Sequence, residues 1–224
     1  MKKYLFILTT LLLGGCEGQL DLAPVTNLTD ATFYKNAEDA KAAIGACYAH
    51  LTSNVYGADG LMFIDLATSD DAVPFLTGVA DRPALWRYDI NPTNTFINHW
   101  GNGFSGVNKS NTVITRVAGI DMDVALRTRY IAEAKFMRAL NYFNLVRLYG
   151  PVPLITSEST SLKGLEVERA PVEEIYKLIE EDLLEAEAVL PASYPAADIA
   201  RATRGAAKGL LAKVYMTRAG ADRS

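Results

Sequence analysis

The sequence predicts an all-α, mainly helical fold of stacked helix pairs, and three observations carry that expectation. Apolar residues recur at spacings of three and four over much of the chain. Two of the helices so defined share small and aromatic residues at a constant offset of 73 positions. The long stretch without such a period, 53–94, is broken repeatedly by glycine and proline, so it reads as an irregular loop region set in a helical frame.

Residues 1–15 stand apart from the fold. Met1, Lys2 and Lys3 give a positive start, and the apolar run that begins at Tyr4 stops at Gly14, Gly15 and Cys16. A membrane-spanning helix needs about 20 apolar residues, so this run is too short and is expected to be a removable leader, a signal peptide. Leu13-Gly14-Gly15-Cys16 resembles the lipobox of bacterial lipoproteins, whose cysteine receives lipid and becomes the first mature residue. That resemblance implies lipidation at Cys16, including palmitate, with each buried acyl methylene worth roughly 0.8 kcal/mol of membrane binding. Acylated Cys16 leaves Cys47 without a disulfide partner, and Cys47 is expected to pack as a small apolar residue.

Residues 16–27 have Gly18 and Pro24 but no period, which suits an extended tether ahead of a folded domain over 28–224. Asn36 followed by Glu38 and Asp39 has the form of a helix N-cap, and Ala40, Ala43, Ile44, Cys47, Tyr48 and Leu51 then mark one apolar face. The 53–94 region follows. Irregular stretches longer than about 15 residues are uncommon in compact domains unless they are functional, so a site is sought here.

Helical signals resume over 95–117, with Phe96, Trp100, Phe104, Val107, Asn111 and Ile114. The stretch 124–149 is apolar on nearly every side, the mark of a helix packed between neighbours. Gly150-Pro151 ends it. Pro171 suits a first helical position, Glu173 and Glu174 favour the positive end of the helix, and Val172, Ile175, Ile179, Leu183, Ala186 and Leu190 line one face. Thr203 is placed to cap a last helix bearing Ala206, Leu210, Leu211, Val214 and Tyr215, which is expected to end before Gly220.

Ala134-Lys135, Ala139 and Tyr142 return as Ala207-Lys208, Ala212 and Tyr215. Small residues facing an aromatic at helical spacing let helices approach closely, as tetratricopeptide-like helix pairs do when they stack into an alpha-alpha superhelix. The pairs predicted are 95–118 with 123–149, and 171–190 with 203–219.

Composition narrows the function. The chain carries a net charge of −4, and loss of Lys2 and Lys3 with the leader takes it to −6. Basic residues are scattered among acidic ones, so nucleic acid is not an expected partner. The 50% apolar content excludes wholesale disorder. His50 and His99 are the only imidazoles, and neither stands in a His or Cys cluster with metal-ligand spacing. No serine occupies a nucleophile elbow and no glycine-rich phosphate loop occurs, so catalytic residues, metal and cofactor are all expected to be absent. No pair among the 26 acidic residues stands out as the two carboxylates of a glycosidase.

The run Glu133-Ala134-Lys135-Phe136-Met137-Arg138-Ala139-Leu140-Asn141-Tyr142, continued through Arg147 and Tyr149 to Gly150-Pro151-Val152-Pro153-Leu154-Ile155, closely resembles the signature of the SusD-like (RagB/SusD) nutrient-binding lipoproteins. Trp100, Asn108, Asn111-Thr112-Val113-Ile114 and the stretch from Ala206 to Tyr215 follow the family's order. The resemblance implies a tetratricopeptide-like fold and a role in capturing glycans or other oligomers at the cell surface. It further implies a SusC-like TonB-dependent transporter as partner, an oligosaccharide or other nutrient as ligand, and attachment to the exterior of the outer membrane by the lipid anchor only. Members are typically longer, so the sequence is expected to be an N-terminal portion. The alternative is a helical-repeat scaffold of the envelope that binds no small ligand.

Arg138, Asn141 and Arg147 of the signature are expected to satisfy backbone and carboxylate partners between helices, not ligand. A glycan site needs aromatic faces for the apolar sides of sugar rings and polar groups for their hydroxyls. Asp70, Asp71, Phe75, Arg82 and Trp86 offer that mixture within the irregular region and are the candidate ligand-binding residues. Trp86 and Tyr88 have a second reading as staples that hold the loop to the helices. Trp100, among apolar residues at helical spacing, is expected in the core.

Overall fold

The computed structural model describes residues 33–52, 60–70, 81–160 and 166–221. The leader, Cys16, the tether, Asp71 and Phe75 lie outside the described residues. Within them run seven α-helices: α1 (Ala37–Ala49), α2 (Leu61–Ala67), α3 (Asp81–Trp86), α4 (Trp100–Val117), α5 (Val124–Tyr149), α6 (Val172–Val189) and α7 (Arg204–Ala221). A two-residue antiparallel ladder, β1 (Val152–Pro153) with β2 (Arg169–Ala170), joins the chain on either side of the α5–α6 connection.

Local chemistry sets the helix ends. Asn36 Oδ1 accepts from the backbone N–H groups of Glu38 (2.9 Å) and Asp39 (3.0 Å), which fixes the start of α1. Asp123 does the same for α5 through the N–H of Leu126 (2.7 Å). Gly150 ends α5 at φ +65°, a conformation that a Cβ would strain. The helix expected over 95–117 begins only at Trp100, because Asn91 and Asn94 use their side chains on the backbone of Thr93 and Phe96 and turn the chain there. Pro171 sits at the cap of α6, one residue before the first helical position expected for it. The last helix runs past Gly220 to Ala221.

α5 is the central element. Tyr142, Phe143, Leu145 and Val146 pack with Ile175, Ile179 and Leu183 of α6. Tyr130, Ala134 and Met137 pack with Val113 and Val117 of α4 and with Ile44 and Cys47 of α1. Each large aliphatic or aromatic side chain buried in this way, such as Ile44, Val113, Phe143 or Leu183, contributes about 1.5–3 kcal/mol. α4 approaches α5 closely because it offers glycine at the contact: a Cβ at Gly103 would stand 2.6 Å from Leu145 Cδ2, and one at Gly106 2.5 Å from Asn141 Oδ1. Cys47 is buried as expected, and burial pushes its thiol up to about 12.

The 73-residue correspondence holds only in part. Ala134, Ala139 and Tyr142 are all fully buried, but of their counterparts only Ala207 is; Ala212 is exposed and Tyr215 is 46% exposed. α5 is covered on two sides, whereas α7 packs along a narrow stripe of Ala207, Leu211 and Val214. Ala206, expected on the apolar face, points outward.

Candidate functional site

The irregular region is partly helical. α2 and α3 form a small module seated on the frame by Leu61 and Ile64, which pack with Ile97 and Leu148. Short helices of seven and six residues show too few turns for a period to emerge, so the sequence reads as loop there.

Polar side chains lock this module to the start of α4. Asp81 accepts from the backbone N–H (3.0 Å) and hydroxyl (2.8 Å) of Thr95, and those two bonds hold its carboxyl below the usual range. Asn94, fully buried, donates to the Asp81 carbonyl (3.0 Å). The Arg82 guanidinium lies over two rings, 5.4 Å from the centroid of Phe63 and 5.1 Å from that of Phe96. Tyr149 completes the seat, its hydroxyl accepting from the His99 N–H (2.9 Å) and donating to the Ile97 carbonyl (2.7 Å).

On this frame the module presents apolar surface. Trp86 is 45% exposed and Tyr88 70%, and Ile90, two residues further on, and Leu66 of α2 are exposed as well. Tyr88 holds φ +54°, and its hydroxyl donates to the Thr68 carbonyl at the end of α2. Its hydroxyl is thus a staple while its ring faces solvent. Aromatic faces held by rigid backbone suit the C–H side of a sugar ring.

Of the residues proposed from sequence, Arg82 and Trp86 share α3, and Asp70 lies in an exposed turn after α2. Asp71 and Phe75 fall outside the described residues. Leu66, Tyr88 and Ile90 were not among the candidates; only exposure distinguishes them from core residues, and exposure is not written in a short irregular segment. Trp100 belongs to the core edge, edge-on to Tyr149 at 5.2 Å and beneath the Arg169 guanidinium at 5.2 Å.

The signature residues are structural. Arg138 bonds both oxygens of Asp182 on α6, and its Nη1 donates to Asn111 Oδ1 (2.9 Å). Asn111 Nδ2 in turn donates to the carbonyls of Ile155 (2.9 Å) and Ser157 (3.1 Å), and the Tyr142 hydroxyl accepts from the Ile155 N–H (2.6 Å). Asn141 and Arg147 differ from expectation: Asn141 donates to the Met137 carbonyl and Arg147 to Asn144, both within α5. Residues three and four apart are neighbours on one helix face, so both side chains find these partners within α5.

Both histidines are buried, and burial lowers the pKa of each. Among the described residues no group of three or more His, Cys, Asp or Glu side chains is placed to hold a metal ion, and no helix is long and apolar enough to cross a membrane.

Comparison with known proteins adds a family. A SusD-like family model described as starch-binding and associating with the outer membrane matches residues 65–216. A SusD-like protein of Bacteroides ovatus is 31% identical across 98% of this chain and 40% of its own length. One from Formosa agariphila is 29% identical across 97% of this chain and 44% of its own. Among solved structures, a laminarin-binding SusD-like protein superposes with a TM-score of 0.72 at 30% identity, over 83% of this chain and 41% of that one. A SusD homologue from Bacteroides thetaiotaomicron gives 0.72 at 28% identity, over 84% and 38%. The chain therefore spans about two fifths of the length of the relatives it matches.

Proposed function

The chain belongs to the SusD-like family, and from that premise we propose that it captures a carbohydrate oligomer at the outer surface of the cell and delivers it, chemically unchanged, to a SusC-like TonB-dependent transporter. The observation that carries the reading is the pair of exposed aromatic rings, Trp86 and Tyr88, on a module braced by Asp81, Arg82 and Asn94. Tyr88, tied by its hydroxyl to the Thr68 carbonyl before ligand arrives, loses little freedom on binding. The outer-membrane association of the family and the laminarin ligand of a structural neighbour support the same role.

In this reading Trp86 and Tyr88 stack on sugar rings, and the further candidates Asp70, Asp71 and Phe75 supply additional ligand contacts. Cys16, once acylated, holds the protein to the membrane, and the tether over 16–27 gives the domain reach. Titration with laminari- and malto-oligosaccharides tests the ligand: Trp86→Ala is expected to weaken saturable binding at least tenfold with the fold intact by circular dichroism, and equal binding by both proteins refutes the assignment. Pull-down of the membrane-bound protein tests delivery, since a TonB-dependent barrel is expected in the eluate and its repeated absence argues for a scaffold instead.

A further inference from the structure

Two clefts flank α1, and they differ in what their polar groups are free to do. One, of about 330 Å³, lies between α1 and the turn at 197–201. Three of its four polar side chains, Tyr48, Asp198 and Arg201, are already engaged: Arg201 bonds Asp198 and Glu133 at 2.8 Å each, and the Tyr48 hydroxyl accepts from the Ala202 N–H.

The other, of about 310 Å³, opens between the entry to α1 and the middle of α4. One wall is aromatic. Phe33 and Tyr34 meet edge to face, ring centroids 4.7 Å apart, and Tyr34 holds φ +63°, a conformation uncommon for a bulky residue. Ala42, Ala43 and Ala46 form a floor of small side chains that leaves the volume open. The opposite wall is polar and comes from Asn108, Lys109 and Thr112 of α4.

Those polar groups retain capacity. Asn108 Oδ1 accepts from the Ser159 N–H (2.8 Å), which orients the amide and leaves Nδ2 as a donor. Thr112 donates to the Asn108 carbonyl (2.8 Å), so its oxygen keeps lone pairs to accept with. Lys109 is exposed at the rim, and among the described residues no carboxylate pairs with it. A lining with an aromatic face, a donor amide, an accepting hydroxyl and an ammonium matches a ring that has an apolar side, hydroxyls and a negative charge. The volume sits at the low end of ligand pockets, about 300 Å³, the size for one ring. Asn108 and Thr112 stand eight and twelve residues beyond Trp100, roughly 12–18 Å along the helix from the end that carries the Trp86 surface.

We propose that this cleft is a second saccharide site, separate from the Trp86 surface, that takes a single acidic sugar residue, with Lys109 on its carboxylate and Phe33 and Tyr34 against its ring. It stands on its own geometry and does not depend on what Trp86 binds. The test is calorimetric titration of the chain with tri-galacturonate and, in parallel, with a neutral trisaccharide of the same size. Tri-galacturonate is expected to bind saturably, weakening as salt rises. Lys109→Ala removes the charge and Ala46→Leu fills the floor at a helical position that tolerates leucine; each is expected to weaken tri-galacturonate at least tenfold, while Trp86→Ala leaves it unchanged. No saturable binding by the unaltered chain overturns the proposal. So does binding of the neutral trisaccharide that the cleft variants weaken equally, or tri-galacturonate affinity retained in both cleft variants. Laminari-oligosaccharide binding, read in the same variants, reports on the Trp86 surface alone, so the two assignments fail separately.

Discussion

Arg138 grips Asp182 through two hydrogen bonds, Nε to Oδ2 at 2.7 Å and Nη2 to Oδ1 at 2.8 Å, inside the interface between α5 and α6. Their side chains are 7% and 3% exposed, so neither charge has water to fall back on. Burial pushes the Asp182 carboxyl up and the guanidinium pulls it down. Arg138→Met removes the opposing charge and leaves a buried carboxylate alone, at a cost of about 3–5 kcal/mol. A carboxyl whose folded pKa is raised destabilises the fold above that pKa and is relieved as pH falls and it takes up a proton. The variant's deficit in urea unfolding is therefore expected to be largest at neutral pH and to shrink toward pH 5. A deficit independent of pH, or one under 1 kcal/mol, contradicts the assignment.

The two histidines give the opposite pH signature. His50 closes α1 and His99 precedes α4, and burial lowers both below the ordinary value of 6.5. Lys109 opposes a proton on His50 as well, while backbone bonds near Asn102 and Phe96 favour one on each ring. A histidine with a depressed folded pKa contributes stability that is complete above its unfolded value and is lost as pH falls below it. The thermal midpoint is expected to drop between pH 7 and pH 5, and less steeply in the His50→Gln, His99→Gln double variant. Parallel slopes for the two proteins exclude the histidines as the cause.

The contact of α4 with α5 depends on the absence of side chains at two positions. Gly106→Ala drives a methyl against Asn141, which is itself held by the Met137 carbonyl (2.8 Å), and overpacking of this kind costs about 1–3 kcal/mol. Gly209 on α7 is the control: nothing lies within 4 Å of a Cβ built there. Gly209→Ala is expected to stabilise by up to about 1 kcal/mol, the helix-propensity difference. Equal effects at the two sites in chemical denaturation contradict the packing account.

Much of this frame is legible in the sequence because helix faces and caps are local. Asn36 announces α1, Gly150 ends α5, and the face from Ile175 to Leu190 is buried as its spacing requires. What the sequence does not carry is which apolar residues find a neighbour. Tyr142 and Tyr215 occupy matching places in a repeated pattern, yet one is fully buried and the other half exposed, since α5 lies between neighbours and α7 does not. The site follows the same division. Arg82 and Trp86 stand out by residue type, but the exposure of Tyr88 and the two rings around Arg82 depend on how α3 docks. The Phe33–Asn108 cleft joins residues far apart in the chain, which no local pattern links.

The connection between α6 and α7 is tied down by a buried charge and a tyrosine from distant helices. Glu133 of α5 is fully buried and takes Arg201 at 2.8 Å, Arg129 at 3.4 Å and the Tyr194 hydroxyl at 3.3 Å. Beside it the Tyr48 hydroxyl of α1 accepts from the Ala202 N–H at 2.8 Å, and burial together with Glu133 drives that hydroxyl's pKa upward, so it stays protonated. Tyr48→Phe leaves the Ala202 N–H buried without its acceptor, a loss of about 1–3 kcal/mol. Because the connection then has one tie fewer to α1, hydrogen exchange at the Ala202 amide is expected to accelerate more than at Leu183 in the core of α6. If Ala202 keeps its protection in the variant, the hydroxyl is not what holds the connection, and the Glu133 cluster alone must account for its order.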